Sequence, residues 1–113
     1  MEEVDFTSDA FDDIVAKDQR YAPRAYALLM EAVRACKDGD DLLEEFKERT
    51  LDQYGPLSYR VLTEWGLACT EDIGEMMFNL AEANRIPREK SGTPEGYIGG
   101  YDFKEAFLGP YEV

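Results

Sequence analysis

The stretch TEDIGEMMFNLAEANRIPREK, residues 70–90, decides how the chain is read. Ile73, Met76, Met77, Leu80 and Ala81 recur at helical spacing, so the segment presents one apolar face to a core. Thr70 is the expected N-cap, and Glu71 and Asp72 stand in the first turn, where the helix dipole favours negative charge. Asn84 is the expected end. Ahead of this helix Gly66 closes an earlier one, and behind it comes a short arm, which together give the outline of a helix-turn-helix unit with a wing. The charges argue against DNA reading. Glu71, Asp72, Glu75 and Glu82 lie on the would-be recognition helix, with no Lys or Arg between 70 and 84 and only Asn79 able to read a base. Arg85, Arg88 and Lys90 follow, but Glu89 and Glu95 dilute them. Nucleic acid is therefore not the expected partner, although a winged-helix shape serving as a protein platform fits the pattern.

Working outward towards the N-terminus, four more helices are predicted. Phe6, Thr7 and Phe11 suit a stapled and capped start, with Phe11, Ile14 and Val15 as the apolar stripe of a helix ending near Asp18. Pro23 opens a second, on which Ala25, Leu28, Leu29, Ala32, Val33 and Cys36 form one buried face, and Gly39 closes it. Asp40 or Asp41 caps a third that turns Leu42, Leu43, Phe46 and Leu51 inward and stops at QYGP. Pro56 begins a fourth carrying Leu57, Val61, Leu62 and Trp65. Towards the C-terminus the composition changes. The run IPREKSGTPEGYIGGYDF is rich in proline and glycine, and Ile86–Lys90 with Tyr97–Tyr101 suits either a small hairpin or a glycine-rich surface loop. DFKEAF reads as a last helical turn, with Phe103 and Phe107 at i, i+4.

The expected fold is thus mainly α: a compact bundle of about five helices with a C-terminal arm that admits a small winged-helix-like β-hairpin. One domain over residues 1–113 is expected, with a helical core over about 7–84 and the arm over 85–113. The length of 113 residues suffices for a core without staples. No apolar run reaches the roughly 20 residues of a membrane span, and MEEVDFTSDAFDD is acidic where a signal peptide is basic, so a cytoplasmic protein is expected. With 25 Asp and Glu against 12 Lys and Arg, the net charge is −13. Such a field repels nucleic acids and anionic membranes; its usual meaning is solubility, and its less common one a surface that meets a basic partner.

Catalytic and metal chemistry find no support in the pattern. The chain has no histidine and two cysteines, Cys36 and Cys69, both read as small buried hydrophobes. DGDD at 38–41 lacks the register of a calcium loop. The glycines at 92, 96, 99 and 100 do not lead through Lys-Ser/Thr into a helix as a phosphate loop does. Ser58, Ser91 and Cys69 lie in no nucleophile elbow, and the acidic pairs fall on solvent faces. We expect no catalytic residue, no cofactor and no metal.

Two features point to a partner surface instead. Phe78 falls roughly 140° around its helix from Ile73, outside the core stripe. The arm is dense in aromatics: Tyr97, Tyr101, Phe103, Phe107 and Tyr111. Phe78, Tyr97, Tyr101 and Phe103 are the candidate partner-binding residues, core closure being the competing use of the arm. A small-molecule site would instead need a pocket lined by Met76, Met77, Trp65 and Tyr26. The leading expectation is a protein-interaction or adaptor module without catalytic activity, ahead of a ligand-binding regulatory domain and a nucleic-acid-binding winged helix.

The strings AYALLMEAV, DLLEEF, QYGPLSYRVLTEWGL, TEDIGEMMFNLAEANRI and YDFKEAF, in this order, resemble an uncharacterised family of small bacterial proteins found mainly in planctomycetes and verrucomicrobia. The resemblance covers roughly Tyr21 to Phe107. The chain departs from that family at ANRIP, where the family has a small residue followed by leucines. The resemblance implies one compact unit and carries no activity, ligand or catalytic residue with it.

Overall fold

Three helices of 13 residues carry the architecture: α2 (Pro23–Ala35), α3 (Leu42–Tyr54) and α5 (Thr70–Glu82). The shorter α1 (Asp12–Lys17) precedes them, α4 (Ser58–Glu64) lies between α3 and α5, and α6 (Phe103–Phe107) follows. Single 3₁₀ turns lie at Gly55–Leu57, Pro94–Tyr97 and Gly109–Tyr111. The computed structural model describes residues 11–36, 41–87, 92 and 94–111. The expected starts and stops at Phe6, Thr7 and Gly39 lie outside them. The fold is mainly helical, with no strand among the described residues. A radius of gyration of 13.6 Å is near the roughly 13 Å of a compact chain this long.

Local chemistry sets the helix ends. Pro23 occupies the first turn of α2, where its missing N–H costs nothing. Asp41 caps α3, its carboxylate accepting from the Leu43 N–H at 3.0 Å. The last helical carbonyls of α4 and α5 are satisfied by the same left-handed motif. After α4, Gly66 (φ 98°) donates to the Thr63 carbonyl at 3.0 Å and Leu67 to Leu62 at 2.9 Å. After α5, Asn84 (φ 61°) donates to Ala81 at 3.0 Å and Arg85 to Leu80 at 2.8 Å. The expected stops at Gly66 and Asn84 are both seen.

The core sits where α2 and α5 present their stripes. Ala25, Tyr26, Leu28, Leu29 and Ala32 of α2 are buried, as are Ile73, Met76, Met77, Leu80 and Ala81 of α5. Phe11 and Ile14 cover one side, with the Phe11 ring stacked on Tyr26 at 5.8 Å. α2 packs on α3, and α6 on α3 and α4. Phe103 and Phe107 meet edge to face at 5.1 Å. Polar atoms inside are used locally: the Thr50 hydroxyl donates to the Phe46 carbonyl at 2.7 Å, and the Ser58 hydroxyl to Gly55 at 2.7 Å. Among the described residues no buried side-chain nitrogen or oxygen lacks a partner.

Several expectations are corrected. The hairpin needs Tyr97–Tyr101 as a strand, but Tyr97 ends a 3₁₀ turn and residues 98–99 turn again. Residues 88–90 of the other proposed strand lie outside the described residues. Thr70 is the first helical residue of α5 and Cys69 the cap, because Asp72 reaches back to the Cys69 N–H at 3.2 Å. The fourth helix was expected to start at Pro56 and to carry Leu57, but the chain forms a 3₁₀ turn at Gly55–Leu57 and α4 begins at Ser58, leaving Leu57 58% exposed. Cys36 and Cys69 are half-buried rather than enclosed.

Candidate functional site

α5 is held differently at its two ends, and the outward stripe of Glu71, Gly74, Glu75, Phe78 and Glu82 shows it. At the N-terminal end Asp72 gathers donors: the Ala68 N–H at 2.7 Å, the Cys69 N–H at 3.2 Å and the Tyr21 hydroxyl at 2.5 Å. The Thr70 hydroxyl donates to the Tyr97 carbonyl at 2.5 Å and accepts from the Gly100 N–H at 3.1 Å. Gly74 completes the clamp. A Cβ there would lie 2.6 Å from Cδ2 and 2.7 Å from Cγ of Tyr97, so the missing side chain is the notch in which that ring sits.

One turn further on, Phe78 is 54% exposed. It borders an open groove of about 350 Å³ lined by Asp13, Ile14 and Lys17 of α1 and by Phe78, Asn79, Glu82 and Ala83. Beneath the groove Asn79 is fixed. Its amide nitrogen donates to Asp18 at 2.9 Å and to the Tyr26 hydroxyl at 3.0 Å. Asp18 also receives the Arg20 guanidinium at 2.6 Å, and Arg20 reaches Glu75 at 3.1 Å. Arg20 holds the Asp18 carboxyl far below its ordinary range, against the opposing effect of burial, and Asn79 assists. At the groove rim, burial would raise the Asp13 carboxyl, yet the hydrogen bond and charge of Arg85, 2.8 Å away, bring it below its usual value. The Arg85 guanidinium lies 5.8 Å from the centre of the Phe11 ring.

These environments do not poise acid, base or nucleophile. Burial, and then the hydrogen bond to Asp72, pushes the Tyr21 phenol upward. Burial likewise raises Tyr26, Tyr97 and Tyr101, so these hydroxyls stay protonated. Burial, with Glu71 second, raises the Cys69 thiol, opposite to the shift that makes a reactive thiolate. Among the described residues no group of three His, Cys, Asp or Glu could hold a metal ion. Asp41 of the DGDD run caps α3, and the rest of that run lies outside the described residues.

The four candidate partner-binding residues are not brought together. Phe78 faces solvent, whereas Tyr97 is 8% and Phe103 3% exposed. Tyr97 enters the Gly74 notch, and Phe103 packs with Phe107 inside the core. Tyr101 is half-buried, its hydroxyl donating to the Leu43 carbonyl at 2.9 Å with Lys47 5.6 Å from its ring centre. Tyr97, Phe103 and Phe107 therefore close the core and Tyr101 caps it against α3, while Tyr111 at the end of the arm is 42% exposed. Of the other suggested sites, Met76, Met77 and Tyr26 are enclosed and the Tyr26 hydroxyl is already engaged by Asn79. Arg85 of the basic cluster is directed at Asp13, while Arg88 and Lys90 lie outside the described residues. The α1 wall of the groove went unread in the sequence. A lone glycine inside the helical pattern of α5 was the available signal for the notch. No helix among the described residues is long and apolar enough to cross a membrane. No family model, curated protein or solved structure matches the chain.

Proposed function

We propose that this chain is a cytoplasmic protein-interaction or adaptor module whose contact surface centres on Phe78 and the groove between α1 and α5. The observation that carries the reading is the exposure of Phe78, 54%, on a helix whose other large apolar residues are all at 1% or less. Large aromatics are enriched at the energetic centres of protein interfaces, where an apolar ring inside a polar rim excludes water. Here Glu82 lies one turn along the helix from the ring and Asp13 on the facing wall. The resemblance to the planctomycete and verrucomicrobial family adds one compact unit and no activity.

The test is affinity capture from nuclease-treated host extract at physiological salt, with wild type, Phe78→Ala and Leu57→Ser compared. The expected outcome is a stoichiometric protein retained by wild type and Leu57→Ser and lost by Phe78→Ala. Equal recovery by all three would sink the reading. A second reading, a small-molecule regulatory domain, draws on the groove volume of about 350 Å³, at the low end of ligand pockets. It would use Phe78 and Asn79 in place of the enclosed methionines.

A further inference from the structure

We infer that the turn carrying Tyr97, residues 94–98, is a releasable strap over the outward face of α5, one that lifts and reseats while α6 stays docked. Burial within it is concentrated. Of residues 96–100 Tyr97 is the buried one, whereas Ile98 is 60% exposed and Gly96, Gly99 and Gly100 are exposed. The Tyr97 ring sits in the Gly74 notch, and the Tyr97 carbonyl accepts from the Thr70 hydroxyl at 2.5 Å. A segment whose apolar burial rests on one side chain has little to set against the conformational freedom it regains on lifting, which is the balance that marks a locally opening unit.

Two adjacent glycines set the boundary of the strap. At Gly99 φ is 67° and a Cβ would meet nothing within 4 Å, so the backbone turns there in open space. At Gly100 a Cβ would lie 2.6 Å from Cδ1 of Leu43 and 3.1 Å from Cγ2 of Thr70, and the Gly100 N–H donates to the Thr70 hydroxyl at 3.1 Å. The fixed part of the arm begins at Gly100. Beyond it the Tyr101 hydroxyl donates to the Leu43 carbonyl at 2.9 Å, Asp102 caps α6 by accepting from the Glu105 N–H at 2.9 Å, and Phe103 and Phe107 lie in the core. Gly99 is thus the pivot between a segment laid on α5 and a segment laid on α3. Lifting the strap leaves α5 in place as well, because Asp72 keeps the Tyr21 hydroxyl and the Ala68 and Cys69 N–H groups. The Thr70 hydroxyl keeps Gly100 and offers its proton to water, so release strands no buried polar group. What changes is the face itself. Gly74 and Phe78 stand four residues apart, roughly 6 Å along the helix, and with the strap lifted that stretch is bare from the notch to the ring. The strap sets how much of the outward face of α5 is open to contact. It needs no partner, so it stands or falls apart from the interaction reading above.

Native-state proteolysis of the full chain is the test. Chymotrypsin cuts after Tyr97 when the ring has left the notch, and the masses of the products identify the bond cut. Apart from trimming after the exposed Tyr111, the first cut in the arm is expected after Tyr97, with cuts after Phe103 and Phe107 at least roughly tenfold slower. Ile14→Val, a change in the core at α1, should lower the urea midpoint yet leave the initial rate after Tyr97 unchanged. Gly99→Ala strains the closed turn without meeting a neighbour and should raise that rate roughly fivefold, and Gly99→Asn, which tolerates the left-handed region, should raise it less. Gly74→Ala should raise it roughly 30-fold by expelling the ring. A rate after Tyr97 that climbs in Ile14→Val in step with the loss of global stability overturns the strap, because the site would then open by global unfolding. Cuts after Phe103 as early as those after Tyr97 overturn it too, since the whole arm would be leaving together. Equal rates for wild type, Gly99→Ala and Gly74→Ala remove both the pivot and the notch.

Discussion

The two ends of α5 share a helix and a buried stripe, yet they are built on opposite principles. The first half is locked from outside: Asp72 collects the Tyr21 hydroxyl and the Ala68 and Cys69 N–H groups, Thr70 bridges Tyr97 and Gly100, and Gly74 receives an aromatic ring. The second half is held from beneath, by Asn79 on Asp18 and Tyr26, while Phe78 stays uncovered above. A helix anchored at one end and along its inner face can present an apolar side chain at the other without shifting to bury it. Rigid support under an exposed aromatic is what a preorganised contact needs.

The largest expected break in this contrast is at the approach to the locked end. In Gly66→Ala the new Cβ would meet the Arg20 carbonyl oxygen at 2.0 Å, and the φ of 98° is itself strained for alanine. A loss of about 3–5 kcal/mol is expected in urea unfolding followed by Trp65 fluorescence. Next is Gly74→Ala, which should cost about 2 kcal/mol by expelling the Tyr97 ring, despite the roughly 1 kcal/mol that alanine gains in a helix. Combining it with Tyr97→Ala should reverse the sign of the Gly74 effect. A double-mutant cycle showing no coupling would mean that the notch does not hold the arm.

Asp18→Asn tests the support beneath the open half and should cost about 1–2 kcal/mol at neutral pH. Arg20 lowers the folded Asp18 carboxyl below its unfolded value near 3.9. Its contribution is therefore complete above that value and fades as pH falls through the folded one. Stability of the wild type should drop on acidification below about pH 4 more steeply than that of the variant. Parallel curves would assign the acid loss to other carboxylates. The smallest effect belongs to Phe78→Ala, expected within about 0.5 kcal/mol of wild type. A loss above roughly 2 kcal/mol would make the ring a core residue and erase the contrast.

The locked half is also where the sequence was hardest to read. The inner stripes of α2 and α5, the Asp41 cap and the stops at Gly66 and Asn84 were legible, because each follows from spacing or from one residue's backbone preference. The position of Phe78 off the stripe was legible for the same reason. Thr70 looked like the cap because threonine suits that place, but Cys69 is the cap, its N–H received by Asp72 three residues on, and the Thr70 hydroxyl goes to Tyr97. The arm's alternatives, closing the core or facing a partner, differ only in what receives Tyr97 and Phe103. That depends on Gly74 and on α3, far away in sequence. The groove depends on how α1 lies beside α5, which no local pattern encodes.

Phe103 and Phe107 close the core from a segment that follows α1 to α5 in the chain. During synthesis, at about 5–20 residues per second, the stretch from the end of α5 to Phe107 takes roughly 1–5 s to emerge. Through that interval the faces of α3 and α4 that receive α6 stay wet, and the Gly74 notch stands empty for part of it. The nascent chain thus carries a timed apolar opening, and the arm acts as the latch that ends it.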